Sequence, residues 1–355
     1  MGKIIGAIAI LCVGVFAYLN IDRIKGLFSE DTRTVNSIEV KLLFREDPTE
    51  DEIIQILLDE GVISTDQYVR EFIAENAIDP ANYAAGKYVI LSGTQVADLM
   101  NGFQKNEFGE GNAEVMVNVV FNRCVTIEDI GMNIGKCILA DSASIVEFIK
   151  SPATLEKYRF SEEQMPAMFL PSTYQMYFDT DAEQFVQIMA EKFKAFWTEE
   201  RKAKISEIGL SYPSQVATVA SIVYSEQSQM SEEWPIIASV YLNRIRKGMK
   251  LESDPTFKFC WGDELDGVER LLNIHKAIDC PYNTYLYGGI PPGPICVVPA
   301  EVIDAVLNPA QTDYIFMCGK PGGAGHNFAT TNAQHERNAS EYIKWLKKYL
   351  EDKEN

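Results

Sequence analysis

Basic residues are scarce in this 355-residue chain relative to acidic ones. It has 32 Lys and Arg against 51 Asp and Glu, which gives a formal net charge of −19. A surface with that balance repels a phosphate backbone and offers no basic footprint for one. The charge therefore argues against nucleic acid as a partner. It is equally compatible with a plain role of the acidic surface in solubility.

Metal-binding patterns of cysteine and histidine are also missing. No two of the seven cysteines have the two-residue spacing of a zinc knuckle, and His326 and His335 lie nine residues apart without an evident third ligand. The glycine-rich segment 322–325 does not have a strand before it and a helix after it, as a phosphate loop requires. We predict no metal site and no cofactor.

The cysteines leave the disulfide pattern open. Cys12 belongs to an apolar segment near the N-terminus, so six cysteines remain that could pair in an oxidising compartment, at positions 124, 137, 260, 280, 296 and 318. Sequence alone does not assign their connectivity. Buried free thiols are the expectation for most of them.

A signal-peptide cleavage site is absent after the long apolar run near the N-terminus. Residues Ile4 to Ile21 form eighteen positions in which Asn20 is the only strongly polar residue, about the length that crosses a bilayer. We predict a stub and transmembrane anchor in residues 1–28, followed by a polar linker in 29–36. A secretory signal peptide is the competing interpretation, and charge does not decide the orientation.

Strand and helix patterns then recur in the same order about 75 residues apart. Each copy has a strand, two helices and a second, tyrosine-bearing strand. We predict an α+β fold with two small modules, at 37–110 and 111–200, with chance similarity as the alternative. The first copy runs through 38–44, 49–53, 68–73 and 86–90, and the second through 117–121, 126–130, 145–149 and 171–177.

Residues 201–355 are predicted to form a mixed α/β catalytic domain, in which helices alternate with long loops from about Pro213. In its first helix Val216, Val219, Val223 and Glu226 follow at steps of three, four and three. Glu226 would thus continue a buried stripe, where desolvation raises the pKa of a carboxyl group and keeps it protonated. Cleavage of a glycosidic bond needs such an acid.

Two other interpretations of Glu226 remain open at this point. The residue could project into water from the last turn of its helix. Alternatively, it could pair with a buried arginine, for which Arg244 on the following helix is a candidate. A tight ion pair would hold the carboxylate ionised and impair acid catalysis.

Residues suited to a sugar-binding groove surround this position in the sequence. They carry amide, hydroxyl, carboxyl, imidazole and aromatic groups, which hydrogen-bond to carbohydrate or stack on it. The proline-rich segment 289–295 predicts a rigid loop that could form a wall of the cleft. Each of these residues is also ordinary in a loop. The candidate substrate-binding residues are Asn243, Ser253, Asp254, Thr256, Tyr282, Asn283, Thr284, Tyr285, His326 and Phe328.

The same residues resemble the MltG (YceG-like) family of endolytic murein transglycosylases. The resemblance is carried by six ordered blocks over about 110 residues, and it extends upstream through 85–88 and 170–174. The six blocks are 220–226, 238–245, 248–256, 281–285, 289–295 and 325–328.

The resemblance implies a LysM-like first module, a single-pass anchor in the bacterial inner membrane, a cytoplasmic N-terminus and a periplasmic catalytic domain. It implies cleavage between N-acetylmuramic acid and N-acetylglucosamine within nascent glycan strands, which leaves 1,6-anhydro ends and limits strand length. Peptidoglycan would be the substrate, and peptidoglycan synthases are partner hypotheses. The family pattern Ala-Ser-Ile-Val-Glu-x-Glu places the catalytic glutamate on Glu226, while Tyr224 replaces its first acid.

Two competing functions stay open. A hydrolase of the same bond needs a second carboxylate to activate water, for which Asp254 is the candidate. A non-enzymatic peptidoglycan-binding scaffold would depend on the paired modules instead. The segment 257–280 is longer and more acidic than the resemblance leads us to expect, so the rim of the cleft is predicted to differ.

Overall fold

The computed structural model describes residues 32–354 except 80, 107–110, 112, 114–115, 123, 266–267, 269–271 and 324. The predicted anchor therefore lies outside the described residues. Within them, no helix combines the length and apolar character that a bilayer crossing requires. The chain divides into two compact units, one reaching to Val117 and including Met176–Asp179, the other formed by Asn118–Gln175 and the chain from Thr180 on.

The first unit contains a two-stranded antiparallel sheet and three helices. Its first helix begins with a capping box, in which the Thr49 hydroxyl accepts from the Glu52 N–H and the Glu52 carboxylate accepts from the Thr49 N–H. Aromatic rings fill the core, with Tyr88 and Phe103 4.7 Å apart between ring centroids. The elements are β1 (Val40–Phe44), α1 (Glu50–Asp59), α2 (Gln67–Asn76), β2 (Gly86–Ile90) and α3 (Val96–Phe103).

The second copy of the predicted pattern has the same order of elements. Thr126 and Asp129 form a capping box that repeats the one at Thr49. The strands β3 and β4 pair with each other, and a short extra helix follows the second helix. The elements are β3 (Met116–Phe121), α4 (Ile127–Gly135), α5 (Ser142–Lys150), α6 (Pro152–Tyr158) and β4 (Ser172–Tyr177).

A helical core follows, centred on a helix buried on nearly all sides. Val216, Val219 and Val223 of this helix are fully buried, and each such side chain stabilises the fold by about 1.5–3 kcal/mol. The Ser221 hydroxyl accepts from the Ile295 N–H at 3.0 Å, which ties the proline-rich loop to the helix. The elements are α7 (Ala182–Phe196), α8 (Glu199–Glu207), α9 (Pro213–Glu226), α10 (Trp234–Arg246), α11 (Asp254–Trp261) and α12 (Ala300–Leu307).

A β-hairpin and a long helix end the described chain. Strands β5 (Phe316–Gly319) and β6 (His326–Ala329) pair antiparallel, with Gly319 opposite His326, and α13 covers Asn332–Glu354. The sequence analysis did not predict the two strands, because each has only four residues. The glycine-rich segment interpreted as a flexible turn connects them.

The sequence expectations therefore have separate outcomes. The mixed helix and strand class, α+β, is confirmed, and so is the recurring order of strand, helix, helix and strand. The three-part division at 37–110, 111–200 and 201–355 stays a prediction, as does the LysM-like character of the first module. Of the six cysteines beyond the anchor, Cys260 and Cys280 form a disulfide, while the other four are free thiols.

Candidate active site

Glu226 is the last residue of α9, where the buried stripe of that helix meets a cleft. The Tyr241 hydroxyl on α10 donates to Glu226 Oε1 at 2.6 Å, and the Ser253 hydroxyl donates to the same oxygen at 2.7 Å. Among the described residues, no group donates to Oε2. Because both donors converge on one oxygen, a proton on the carboxyl group belongs on Oε2.

The pKa of Glu226 is raised above the ordinary value of a glutamate, and burial of the carboxyl group is the main cause. Hydrogen bonds from Tyr241 and Ser253 oppose this rise, the nearby Asp254 carboxylate adds to it, and His326 opposes it. The residue keeps partial exposure to the cleft, although its carboxyl group is desolvated. Glu226 is therefore both accessible and biased towards its protonated form.

Tyr241 is suited to hold this carboxyl group as a permanent donor. Burial raises its pKa well above the usual phenol value, and the neighbouring Glu226 raises it further. Its hydroxyl therefore keeps its proton across the physiological range. The sequence analysis missed Tyr241, although it lies three residues before Arg244 on the same face of α10.

The cleft around Glu226 has a volume of about 380 Å³ and is mainly polar in its lining. Three of the predicted substrate-binding residues, Asp254, Tyr285 and His326, line it together with Glu226. The remaining lining residues are Val240, Tyr241, Arg244, Leu251, Glu252, Lys276, Met317, Cys318, Gly319 and His335.

Asp254 belongs to a separate charge cluster in the same cleft. Its Oδ1 accepts from the Tyr285 hydroxyl at 2.5 Å and lies 3.1 Å from Lys276 Nζ. Burial raises the pKa of Tyr285, and its bond to Asp254 raises it further, so Tyr285 is a donor at neutral pH. Lys276 carries a cation into the cleft that the sequence analysis did not identify.

The disulfide supports this part of the cleft. It joins Cys260 of α11 to Cys280, with 20 residues between them along the chain. Asp254 begins the same helix, and Lys276 lies in the segment that the bridge closes. The bridge therefore constrains the two partners of the ion pair from both ends.

Arg244 does not pair with Glu226, which had been one of the open interpretations. Its guanidinium lies 3.0 Å from Glu252 Oε2 and donates to the carbonyls of Ile315, at 2.6 Å, and Lys250, at 3.0 Å. The arginine therefore fixes the turn before α11 and the start of the hairpin. Its charge is committed to Glu252, which leaves Glu226 free to be protonated.

A second buried carboxyl group lies seven residues after Glu226. Glu233 closes a short 3₁₀ turn before α10, and its Oε2 is 2.7 Å from His326 Nδ1. The backbone N–H of His326 donates to Glu233 Oε1 at 2.9 Å. Burial opposes ionisation of Glu233, but these hydrogen bonds outweigh it and lower its pKa. The glutamate thereby holds one wall of the cleft by its histidine.

Other predicted residues use their polar groups inside the protein. Ser253 accepts no place in the cleft lining but bonds Glu226, as described above. The Asn243 amide donates to the carbonyls of Thr312 and Tyr314, at 2.8 and 2.9 Å. The Asn283 amide donates to the carbonyls of Lys276 and Ile278, at 3.0 and 2.8 Å. These amides hold the loops that carry the cleft.

The two predicted threonines form a buried pair. Thr256 and Thr284 share a hydrogen bond of 2.8 Å, and the Ser253 N–H donates to Thr284 at 3.0 Å. This pair locks the start of α11, and with it Ser253, to the neighbouring loop.

The remaining two predicted residues pack through their rings. Tyr282 lies 4.6 Å from Phe259 and Phe328 lies 5.6 Å from Tyr314, between ring centroids. Neither lines the described cleft. Substrate contact by any of the ten predicted residues stays a prediction.

Tyr224 occupies the position at which the family pattern has its first acid. Its ring packs edge-on against Trp234, 6.2 Å away between centroids. Trp234 in turn donates from its indole N–H to the Gln227 carbonyl at 2.6 Å. The tyrosine thus helps to join the end of α9 to the start of α10.

Comparison with known proteins identifies relatives of the whole arrangement. The chain is 32% identical over 165 residues to the endolytic murein transglycosylase of Bacillus subtilis, covering 46% of this chain and 44% of that protein. It is 22% identical over 284 residues to the endolytic murein transglycosylase of Streptococcus pneumoniae, covering 73% of this chain and 50% of that protein. The chain thus spans about half the length of the curated relatives that it matches.

A solved structure and a family model extend this comparison. The crystal structure of a YceG-like protein from Listeria monocytogenes aligns with a TM-score of 0.57 and 21% identity, covering 85% of this chain and 99% of that one. That similarity concerns the fold alone. The model of the YceG-like family matches residues 44–341, which is most of the chain. The resemblance found in the sequence is thereby confirmed, and this chain is a member of the YceG-like family.

Proposed function

We propose that this chain is an endolytic lytic transglycosylase of peptidoglycan, with Glu226 as its only acid and base. The observation that carries the proposal is the state of the Glu226 carboxyl group. Burial raises its pKa, two hydroxyl groups bind Oε1, and no described residue binds Oε2. A protonated Oε2 at the edge of a polar cleft is the group that a glycosidic oxygen needs as it departs.

The reaction then requires one residue in two roles. Glu226 donates its proton to the glycosidic oxygen as the bond from that oxygen to the anomeric carbon of N-acetylmuramic acid breaks. The muramic acid 6-hydroxyl attacks the same carbon, and its proton returns to Glu226. The product carries a 1,6-anhydro end, and the enzyme regains its starting state without water or metal.

Tyr241 and Ser253 fit both stages of this cycle. Their hydrogen bonds lower the pKa of Glu226 and so favour its charged form, whereas burial favours the neutral form. The carboxylate that remains after proton donation is therefore stabilised by two donors that are already in place. Such preorganised donors cost no rearrangement during the reaction.

A hydrolase is the second candidate, and Asp254 is the observation that favours it. Its carboxylate lines the same cleft and could activate a water molecule. The bonds from Lys276 and Tyr285 to its Oδ1 favour a fixed structural role instead. The two reactions differ in their products, because hydrolysis leaves a reducing end.

The finer assignments belong to the same proposal. We propose that residues 4–21 anchor the chain in the bacterial inner membrane, with the catalytic domain in the periplasm and a LysM-like first module on the glycan. The long apolar segment and the family resemblance support this. Cutting nascent strands would limit their length, and synthases of peptidoglycan are the proposed partners. Fractionation tests the anchor, because a chain without residues 1–28 should leave the membrane fraction.

Mass spectrometry of the products tests the reaction. The full chain and its Glu226→Gln variant are incubated with intact glycan strands, beside Glu301→Gln as a matched control on the exposed face of α12. We expect internal fragments with 1,6-anhydro ends from the wild type and the control. The variant should lose at least about a thousandfold in rate, since it has no proton to donate.

The other outcomes separate the competing functions. Reducing ends from the wild type would establish a hydrolase. Equal cleavage by Glu226→Gln would remove Glu226 from the mechanism. No cleavage by the wild type, together with retained binding of glycan, would favour the non-enzymatic scaffold.

A further inference from the structure

His326 is held from behind by one carboxylate at two points. Glu233 accepts the His326 backbone N–H at 2.9 Å through Oε1, and its Oε2 lies 2.7 Å from ring atom Nδ1. The two residues are 93 positions apart in the chain, so this double contact comes from tertiary structure. Two bonds from one carboxylate fix both the position of the histidine backbone and the rotation of its ring.

Gly325 makes this approach feasible. Its φ of +79° lies in the left-handed region, and a Cβ atom there would lie 2.3 Å from Glu233 Oε1. Any other residue would therefore clash with the carboxylate. The backbone before His326 is thus shaped around Glu233.

The charge of Glu233 decides which nitrogen of His326 carries the proton. Although burial opposes ionisation, the bonds from His326 and the cation of Lys320, 3.8 Å from Oε1, lower the pKa of Glu233. An ionised carboxylate has only acceptors, so Nδ1 must carry a hydrogen atom. In the neutral ring Nε2 is then an acceptor with a free lone pair.

The other side of the ring belongs to the cleft. His326 lines the same cavity as Glu226, and the two are close enough to influence each other electrostatically. Among the described residues, no group forms a hydrogen bond with Nε2. The cleft therefore has a fixed acceptor that the acid and base roles of Glu226 do not use.

We propose that Glu233 is a positioning residue for the reaction, because it fixes His326 in the Nδ1–H form so that Nε2 accepts a hydrogen bond from a sugar hydroxyl. The inference rests on the proposed function for the identity of the ligand. The tautomer and its cause are independent of that function. Glu233 itself does not touch the substrate.

Nitrogen-15 NMR of the full chain tests the tautomer directly. In alkaline solution, where imidazoles are neutral, His326 should show a pyrrole-like Nδ1 and a pyridine-like Nε2. The His326→Gln variant assigns these signals, because the chain has only 3 histidines. In Glu233→Gln the new amide can donate to Nδ1, so the two nitrogens should exchange character. A protonated Nε2 in the wild type, or no exchange in the variant, would overturn the proposal.

Steady-state kinetics test the role in binding. We expect Glu233→Gln to raise KM about tenfold and to change kcat less than about twofold, since the lost bond is made to the ground state as well. Glu232→Gln is the matched control, because this exposed neighbour lies in the same 3₁₀ turn. An unchanged KM in Glu233→Gln would overturn the proposal.

A double variant tests whether Glu233 acts through His326. If it does, Glu233→Gln with His326→Gln should be no weaker than His326→Gln alone. Additive losses in KM would contradict a shared role.

A binding measurement separates failure of this inference from failure of the proposed function. If the wild type cleaves no glycan, the function fails, but a glycan fragment can still be titrated into the Glu226→Gln variant. Saturating fragment should shift the Nε2 resonance of His326 and leave Nδ1 nearly unchanged. Saturation without any shift of Nε2 would overturn the hydroxyl contact, whether or not the enzyme is active.

Discussion

Glu226 and Glu233 are two carboxyl groups of the same unit that their surroundings drive in opposite directions. Burial is the largest influence on both, and alone it would raise both pKa values. Glu226 receives two neutral hydroxyl donors and lies near the Asp254 carboxylate, so its pKa stays raised. Glu233 receives a backbone N–H and a histidine ring and lies near Lys320, so its pKa is lowered.

The difference teaches which neighbours decide the charge of a buried acid. Hydroxyl groups can bond a neutral carboxyl group nearly as well as a charged one, whereas an imidazole and an ammonium group favour the anion strongly. One glutamate is thereby kept as a proton donor and the other as a permanent anion. A glycosidase cleft needs both, one for chemistry and one for orientation.

The largest effect should come from deleting the anion. Glu233→Ala leaves the His326 N–H and ring without their acceptors in a buried place, so the free energy of unfolding should fall by about 3 kcal/mol. Urea denaturation at neutral pH measures it. Because folding lowers the pKa of Glu233, this contribution is present above the ordinary value of 4.5 and is lost as pH falls through the lowered value.

The control for this variant is Glu232→Ala, since that side chain is exposed. It should change the unfolding free energy by no more than about 0.5 kcal/mol. Equal losses at 232 and 233 would show that the His326 contacts do not stabilise the fold.

The next effect has the opposite sign and concerns the acid. Folding raises the pKa of Glu226 above 4.5, so its ionisation destabilises the native state increasingly as pH rises from that value to the raised one. Glu226→Gln should therefore stabilise the protein in alkaline solution by about 2 kcal/mol. Thermal unfolding at several pH values measures the gain, which should vanish in acid. A gain that is independent of pH would contradict the raised pKa.

The smallest effect should come from removing one hydroxyl group. Tyr241→Phe deletes a donor that lowers the pKa of Glu226, so that pKa should rise by up to about one unit. The alkaline limb of the pH profile of kcat/KM should then move to higher pH, because Glu226 keeps its proton longer. Tyr224→Phe is the matched control on the same cleft side of α9, since its ring packs on Trp234. A shift to lower pH in Tyr241→Phe would contradict the role of this hydroxyl.

The sequence predicted the local features of this site better than its contacts. The spacing of Val216, Val219 and Val223 identified the buried stripe that ends at Glu226, because helical period is a local property. The capping residues Thr49 and Thr126 marked helix starts for the same reason. Asn243 and Thr256 were proposed for the groove by their chemistry, but the structure uses their polar groups to fix loops.

The sequence by itself determined the order of helices and strands, the membership of a family and the position of Glu226 on a buried helix face. Only the tertiary structure decided the charge of that residue, because its donor Ser253 lies 27 positions away in the chain. Only the tertiary structure, likewise, separated the two glutamates, since the partner of Glu233 lies 93 positions away. The physical reason is that helix and strand patterns depend on near neighbours, whereas a buried carboxyl group takes its pKa from whatever the packed chain brings beside it.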